Sequence, residues 1–247
     1  MAYQRPDARA LDQLRDVTIQ RRFTSAPGSV LIQAGNTMAL CAATIVEDVP
    51  DWMKRNGQNP TKGWITAEYR MLPESTLTRK PRMDRPDGRS TEIQRMIGRA
   101  LRAVFDPEAL GPRTVYLDCD ILQADGGTRT LCITGACVAL IDALNSVRDK
   151  LPEPERYPLK DSVSAVSVGL IQDEPILDLA YVEDSAAQVD MNVVLTRSGD
   201  FVELQGAGEK SVFNQSQLST MIAFAQTGCA RLAQLQQASL GEAWPFS

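Results

Sequence analysis

The sequence predicts an α+β fold in a single domain, 1–247, with mixed β-sheets and helices packed on them in β-β-α-type units. Three observations lead there. Strand-like runs and helical stripes are interspersed without strict βαβ alternation. Of the 247 residues, 43% are apolar and 23% charged, ordinary values for a globular chain able to bury a full core. No stretch is polar or long enough to read as a linker, and the two halves share a strands-then-helix order without a residue-level repeat.

The elements follow in order. Val17 to Phe23, Ser29 to Gln33 and Met38 to Val46 read as strands, with Gly35-Asn36 turning between the last two. Residues 51 to 89 are rich in Pro, Gly, Asn, Arg and Lys and read as one long excursion with a mobile tip, a length more often functional than idle. Thr91 to Phe105 reads as a helix whose apolar stripe is Ile93, Met96, Ile97, Ala100, Leu101 and Val104, with Arg95, Arg99 and Arg102 opposite. Val115, Leu117, Cys119 and Ile121 alternate as a strand. The small apolar segment from Ile133 to Leu144 then reads as a buried helix ending near Val147, and Leu151 to Pro158 as a connector. Strands follow at Ser164 to Ile171, Ile176 to Tyr181, Asn192 to Thr196 and Phe201 to Leu204, before a helix from about Gln215 to Ala238.

Composition excludes several chemistries. Histidine is absent, which removes Ser–His–Asp and Cys–His nucleophiles and histidine-ligated zinc together. The five cysteines, 41, 119, 132, 137 and 229, are odd in number, form no C-x-x-C and lie in apolar segments, so they read as reduced core residues of a cytoplasmic protein. No apolar run reaches the roughly 20 residues of a membrane helix. The start Met1-Ala-Tyr-Gln-Arg-Pro-Asp lacks the apolar stretch of a signal peptide.

Net charge is −5, but its distribution is uneven. Residues 52 to 113 hold 13 Lys/Arg against 7 Asp/Glu, and 79 to 102 hold eight basic residues against three acidic ones. A basic zone on an acidic body suits an anionic polymer held at one face. A solvated charged loop is the plainer alternative.

Three groups carry chemistry. In Gln123-Ala124-Asp125-Gly126-Gly127-Thr128-Arg129-Thr130, a glycine pair lets the backbone approach a ligand, an arginine supplies a cationic fork, and a following helix start favours an anion. An ordinary glycine turn from strand to helix would look similar. In Asp87-Gly88-Arg89-Ser90, Arg89 stands just ahead of a helix. In Glu183-Asp184-Ser185-Ala186-Ala187-Gln188-Val189-Asp190, carboxylates flank a short turn between a strand leaving at Tyr181 and one entered at Met191. Such oxygens suit Mg²⁺, which often bridges to phosphate, or a general acid. Together the groups point to phosphoryl chemistry, although G-x-x-x-x-G-K-[ST] and G-x-G-x-x-G are both missing.

Longer motifs carry a resemblance. Arg5-Pro6, Gly63 to Tyr69, Met71-Leu72-Pro73, Gly88 to Arg95, Leu122 to Thr130, Tyr181 to Ser185, Val189 to Val193 and Val202 to Gly206 resemble ribonuclease PH in the same order over nearly the whole chain. The resemblance implies a ribonuclease PH-like fold and a phosphorolytic 3′→5′ exoribonuclease that trims tRNA precursors. Inorganic phosphate would attack the terminal phosphodiester, and a nucleoside diphosphate would leave. By match of motif, Arg89, Gly127, Thr128 and Arg129 would bind phosphate. Asp184 and Asp190 would be the catalytic carboxylates, holding Mg²⁺ or protonating the leaving 3′-oxygen. The resemblance further implies a homo-oligomer, a hexamer built as a trimer of dimers. Arg70, Arg79, Lys80, Arg82, Arg95 and Arg99 would then grip RNA. The chain departs from the family at Glu74, where arginine is usual, at Arg70, where a small residue is common, and across the loop from Arg79 to Asp87. A non-catalytic RNA-binding ring subunit and a nucleoside phosphorylase are the rival readings.

Overall fold

The computed structural model of the protein describes residues 3–54, 60–82 and 84–247, so part of the 51–89 excursion and the first two residues lie outside the described residues. The elements are β1 (Val17–Arg21), β2 (Gly28–Ala34), β3 (Thr37–Val46), β4 (Trp64–Met71), α1 (Gly88–Ala103), α2 (Pro107–Leu110), β5 (Thr114–Gln123), α3 (Thr128–Ser146), β6 (Val163–Ile171), β7 (Glu174–Leu177), α4 (Tyr181–Ala186), β8 (Val189–Thr196), β9 (Phe201–Gly208) and α5 (Gln215–Leu240).

Two sheets form among the described residues. The first has the order β1-β2-β3-β5-β4 and is mixed: its strands are antiparallel except for β4, which runs parallel to β5. The second, β7-β6-β8-β9, is antiparallel throughout. The fold is α+β, as the interspersed pattern requires.

Helix α3 joins the two sheets. Every residue from Thr128 to Leu144 except Arg129 is buried, because small and aliphatic side chains cover the helix on all sides. It packs on β2 and β3 of the first sheet and on β6 of the second. Ile133 and Leu140 are fully buried, each stabilising the fold by about 1.5–3 kcal/mol. Helix α1 covers β4 through Ile93, Met96, Ile97, Ala100 and Leu101, and α5 covers the second sheet through Met221, Ala225, Cys229 and Leu232. All five cysteines are free and buried, in keeping with a core role.

Three predicted elements are corrected. The 51–89 excursion contains strand β4, whose Ile65, Ala67 and Tyr69 point into the core while Glu68 faces out. Alternation was present there, but flanking Pro and Gly concealed it. Helix α1 begins three residues before Thr91, at Gly88, because Asp87 is its N-cap and Asp87 Oδ1 accepts a hydrogen bond from Ser90 N at 2.7 Å. The strand expected to run to Tyr181 stops at Leu177. Asp178 adopts φ +54°, and residues 181–186 form α4 in place of a turn. Among the described residues no helix is long and apolar enough to cross a membrane.

Candidate active site

The glycine loop lies between β5 and α3. Gly126 and Gly127 both have positive φ, +79° and +65°, which glycine adopts without steric cost. At Gly126 a Cβ would stand 2.4 Å from Leu179 O and 2.8 Å from Ala180 C and Tyr181 N, so the loop lies directly against the chain entering α4.

The loop's carbonyls are turned away from the site. Arg15 Nη1 donates to Asp125 O at 2.6 Å and Arg15 Nη2 to Gly126 O at 3.4 Å. Thr37 Oγ1 donates to Gly126 O at 2.7 Å and accepts from Asp125 N at 3.0 Å. Arg15 is itself fixed by Asp178, with Nη2–Oδ1 at 2.6 Å and Nε–Oδ2 at 3.0 Å. With both carbonyls engaged there, Gly127, Thr128 and Arg129 at the start of α3 line the cavity. Gly127 is the N-cap of α3 and no side chain caps it, whereas Asp87 and Asn214 cap α1 and α5. A long helix start without a side-chain cap presents unmet N–H donors and partial positive charge.

The carboxylates come from the second sheet's side. Asp184 sits on α4 and Asp190 near the start of β8. Glu183, buried behind Asp184, accepts from Arg5 Nε and Nη2 at 2.8 and 2.7 Å and from Ala180 N at 2.9 Å, so Arg5 anchors α4 from the N-terminal segment. Burial raises the pKa of Asp184, against the lowering influence of Arg89 and Arg129. Asp190 is pushed up to about 6, first by burial and then by the neighbouring Asp184 charge, while Asn192 donates to its Oδ2 at 3.5 Å. Glu209, close enough to raise both, is a third carboxylate on this wall.

One cavity of about 1030 Å³ collects these groups: Arg89, Gly127, Thr128, Arg129, Asp184 and Asp190 all line it. Arg79 and Lys80 line it too, on the segment after β4. Of the other basic residues named from the sequence, Arg70 lies on β4 opposite Asp120. Arg82 is exposed away from the cavity lining. Arg95 is exposed on α1, and Arg99 donates to Glu203 Oε2 at 2.9 Å. Arg102, expected on the solvent face, is half-buried: its Nη1 donates to Ile65 O at 2.8 Å and its guanidinium lies 4.7 Å from the Trp64 ring centre.

Several site residues escaped the sequence. Tyr69 Oη and Thr128 Oγ1 are 2.9 Å apart in a buried hydrogen bond, which fixes the threonine hydroxyl at the head of α3. Arg15 and Thr37 brace the loop from 110 and 88 residues away in sequence, and Asp178 holds Arg15 across 163, so no local pattern signals these contacts. Asp125 joins the two walls: its Oδ1 accepts from Tyr181 N at 3.2 Å and its Oδ2 from Asn36 Nδ2 at 3.1 Å.

The arrangement can hold an anion between arginines and helix amides, face to face with two carboxylates whose pKa values are raised. It is formed at the seam between the chain's halves, and comparison with known proteins divides the chain at the same place. A family model described as 3′ exoribonuclease family, domain 1, matches residues 13–144, and its domain 2 counterpart matches 161–228. Among solved structures the chain is similar to rice (Oryza sativa) Rrp46, at 19% identity and TM-score 0.76, covering 96% of this chain and 100% of that one. It is similar to a chain of the Archaeoglobus fulgidus exosome with RNA bound to the active site, at 22% identity and TM-score 0.77 over 94% and 92% of the two chains. It is also similar to a chain of an archaeal exosome core, at 21% identity and TM-score 0.73 over 96% and 91%. These likenesses carry the fold. The two consecutive family models span the residues that build the cavity, and on that ground the chain belongs to the 3′ exoribonuclease family of RNase PH.

Proposed function

We propose that the protein is a phosphate-dependent 3′→5′ exoribonuclease that shortens the 3′ ends of tRNA precursors and releases nucleoside diphosphates. One observation carries this reading: a helix start without a side-chain cap and two arginines share a cavity with two carboxylates of raised pKa. Inorganic phosphate sits against the amides at Gly127 and Thr128, the Thr128 hydroxyl, and the Arg89 and Arg129 guanidiniums. With Tyr69 as the donor in its bond to Thr128, the threonine proton is free for phosphate. A phosphate oxygen attacks the terminal phosphorus. The bond from that phosphorus to the preceding 3′-oxygen breaks, and the RNA leaves one nucleotide shorter.

The leaving 3′-oxygen needs a proton. Asp190, with its pKa near 6, still carries one on a fraction of molecules at neutral pH and stands within the cavity, so it is the proton donor in this scheme. Two repelling carboxylates of hard oxygen are also a fitting donor set for Mg²⁺. The residues that would hold it are Asp184 and, once it has given up its proton, Asp190, and the ion would supply charge neutralisation for the phosphates. Arg79 and Lys80 line the same cavity, and in this scheme they hold the RNA backbone. The RNA bound in the Archaeoglobus fulgidus structure supports RNA as the polymer. The working form proposed here is a homo-hexamer, a trimer of dimers.

A 3′-extended tRNA incubated with and without phosphate tests the reading. Diphosphate products that depend on phosphate are expected. Equal trimming in both, or monophosphate products, would overturn it, and RNA binding without turnover would leave the non-catalytic subunit.

A further inference from the structure

Tyr181 opens α4 in an unusual setting for an aromatic residue. Its backbone N–H is held by Asp125 Oδ1, which fixes its Cα beside the glycine loop. Its side chain nonetheless stays out of the core: Tyr181 is 57% exposed and lines the cavity, as does Val182 beside it at 56%. Asp184 follows three residues later, so one helical turn sets the ring and the carboxylate on the same side. Leu77, on the segment after β4, is fully exposed and lines the same cavity. Large apolar side chains exposed within a charged cavity are available to a ligand, and a cluster of them marks a contact surface.

The geometry points to Tyr181 as the stacking platform for the nucleobase of the 3′-terminal nucleotide, a base subsite next to the phosphate cradle. This rests on the reading of the cavity as the RNA 3′-end site. If the scissile phosphodiester lies between Arg129 and Asp190, the sugar and base of the departing nucleotide fall within one nucleotide's reach of α4. A ring of this kind accepts all four bases, because each offers a π-face. An enzyme that shortens RNA one nucleotide at a time requires that tolerance. The apolar neighbour Val182 extends the platform and offers no hydrogen-bonding group that would favour one base.

The test is binding of a short 5′-labelled RNA, measured by fluorescence polarisation in phosphate-free buffer so that no turnover occurs. Tyr181→Ala should bind about 10- to 100-fold more weakly than the parent protein, and Tyr181→Phe within about threefold of it. An RNA ending in an abasic nucleotide should bind the parent protein as weakly as intact RNA binds Tyr181→Ala, and the variant should not distinguish the two ligands. Unchanged binding by Tyr181→Ala, an equal penalty for the abasic end in both proteins, or no RNA binding at all would overturn the subsite. The activity reading fails separately: Tyr181-dependent binding with no phosphate-dependent diphosphate release would keep the subsite and reject the enzyme.

Discussion

Gly126→Ala is the substitution whose cost the structure specifies best. The new Cβ would stand 2.4 Å from Leu179 O and 2.8 Å from both Ala180 C and Tyr181 N, and all three atoms are backbone that cannot rotate aside. Placing alanine at φ +79° costs about 1–2 kcal/mol, and forcing packed backbone apart adds about 1–3 kcal/mol. The total of about 2–5 kcal/mol corresponds to a melting temperature lower by roughly 4–20 °C for a chain of this size. Two neighbours calibrate the effect. Gly127→Ala meets side-chain atoms and no backbone, Arg15 Nη2 at 3.0 Å and Thr130 Oγ1 at 3.4 Å, so the torsional cost of about 1–2 kcal/mol is expected with only a smaller cost for displacing the Arg15 guanidinium. Gly88→Ala meets nothing within 4 Å and should be neutral or slightly stabilising. Function should follow the same order. Moving residues 179–181 off the loop shifts Asp184 against the head of α3, and a displacement of about 1 Å costs about 100-fold in turnover. Thermal melts of the three variants, with phosphorolysis of a 3′-extended RNA assayed well below each midpoint, give the comparison. If Gly126→Ala melts within about 2 °C of Gly127→Ala, or turns over at the parent rate, the argument for a loop wedged against α4 is wrong.

Other outcomes follow from the same geometry. Asp190→Asn should abolish turnover and leave RNA binding intact, and retained activity would contradict its role as proton donor. An ionised Asp190, raised from 3.8 to about 6, costs stability that grows as pH rises from about 4 to 6 and then levels off; the variant should therefore gain about 3 kcal/mol at pH 7 and nothing near pH 4, as paired melts would show. In the parent protein kcat should fall as pH rises beyond about 6, and a rate that climbs with pH instead would assign Asp190 another task. Arg129→Ala should raise the KM for phosphate about 10- to 150-fold at unchanged RNA affinity, the loss of a charged hydrogen bond of about 1.5–3 kcal/mol. Replacing Arg79 and Lys80 together by Ala should flatten the salt dependence of RNA binding by about two phosphate contacts, which a titration over KCl concentration would measure.

Local pattern was enough for α3, because a run of small apolar residues after two glycines has few places to go except a buried helix. It was enough for α1 as well: five of the six stripe residues form the face that covers β4, and the sixth, Val104, is buried as the C-cap just past the helix end. It was not enough for β4, where Ile65, Ala67 and Tyr69 alternate over only three inward positions inside a region dominated by turn formers. It also failed at α4. The apolar run from Ile176 to Tyr181 reads as one strand leading into an acidic turn, but the strand ends at Leu177, where Asp178 takes a left-handed conformation while accepting from Arg15, and the acidic segment coils into a helix. The cavity residues Arg89, Gly127, Thr128 and Arg129, proposed to face phosphate, were visible because glycine pairs and arginines at helix starts have a chemical meaning in isolation. The residues that aim them were not, since Arg15, Thr37 and Asp178 matter only once three distant segments meet.

That distribution explains why a site of this kind can keep a destabilised carboxylate. Arg5, Arg9 and Arg15 leave the N-terminal segment and reach Glu183 and Asp178 in the other half of the chain. Buried ion pairs are weak evidence for net stability, but breaking one leaves an unpaired charge that costs about 3–5 kcal/mol, so these pairs hold position firmly. The pKa of Asp178 is raised by burial yet ends below the ordinary carboxylate value, because the hydrogen bonds and charge of Arg15 prevail. Its stabilising effect is therefore present above about pH 3.9 and is lost only as pH falls through that lowered value. Asp190 titrates near 6, well above that window. The Arg15–Asp178 pair that braces the glycine loop thus stays charged while the proposed proton donor changes state. Proton transfer at Asp190 can proceed without loosening the seam that holds the two walls of the cavity together.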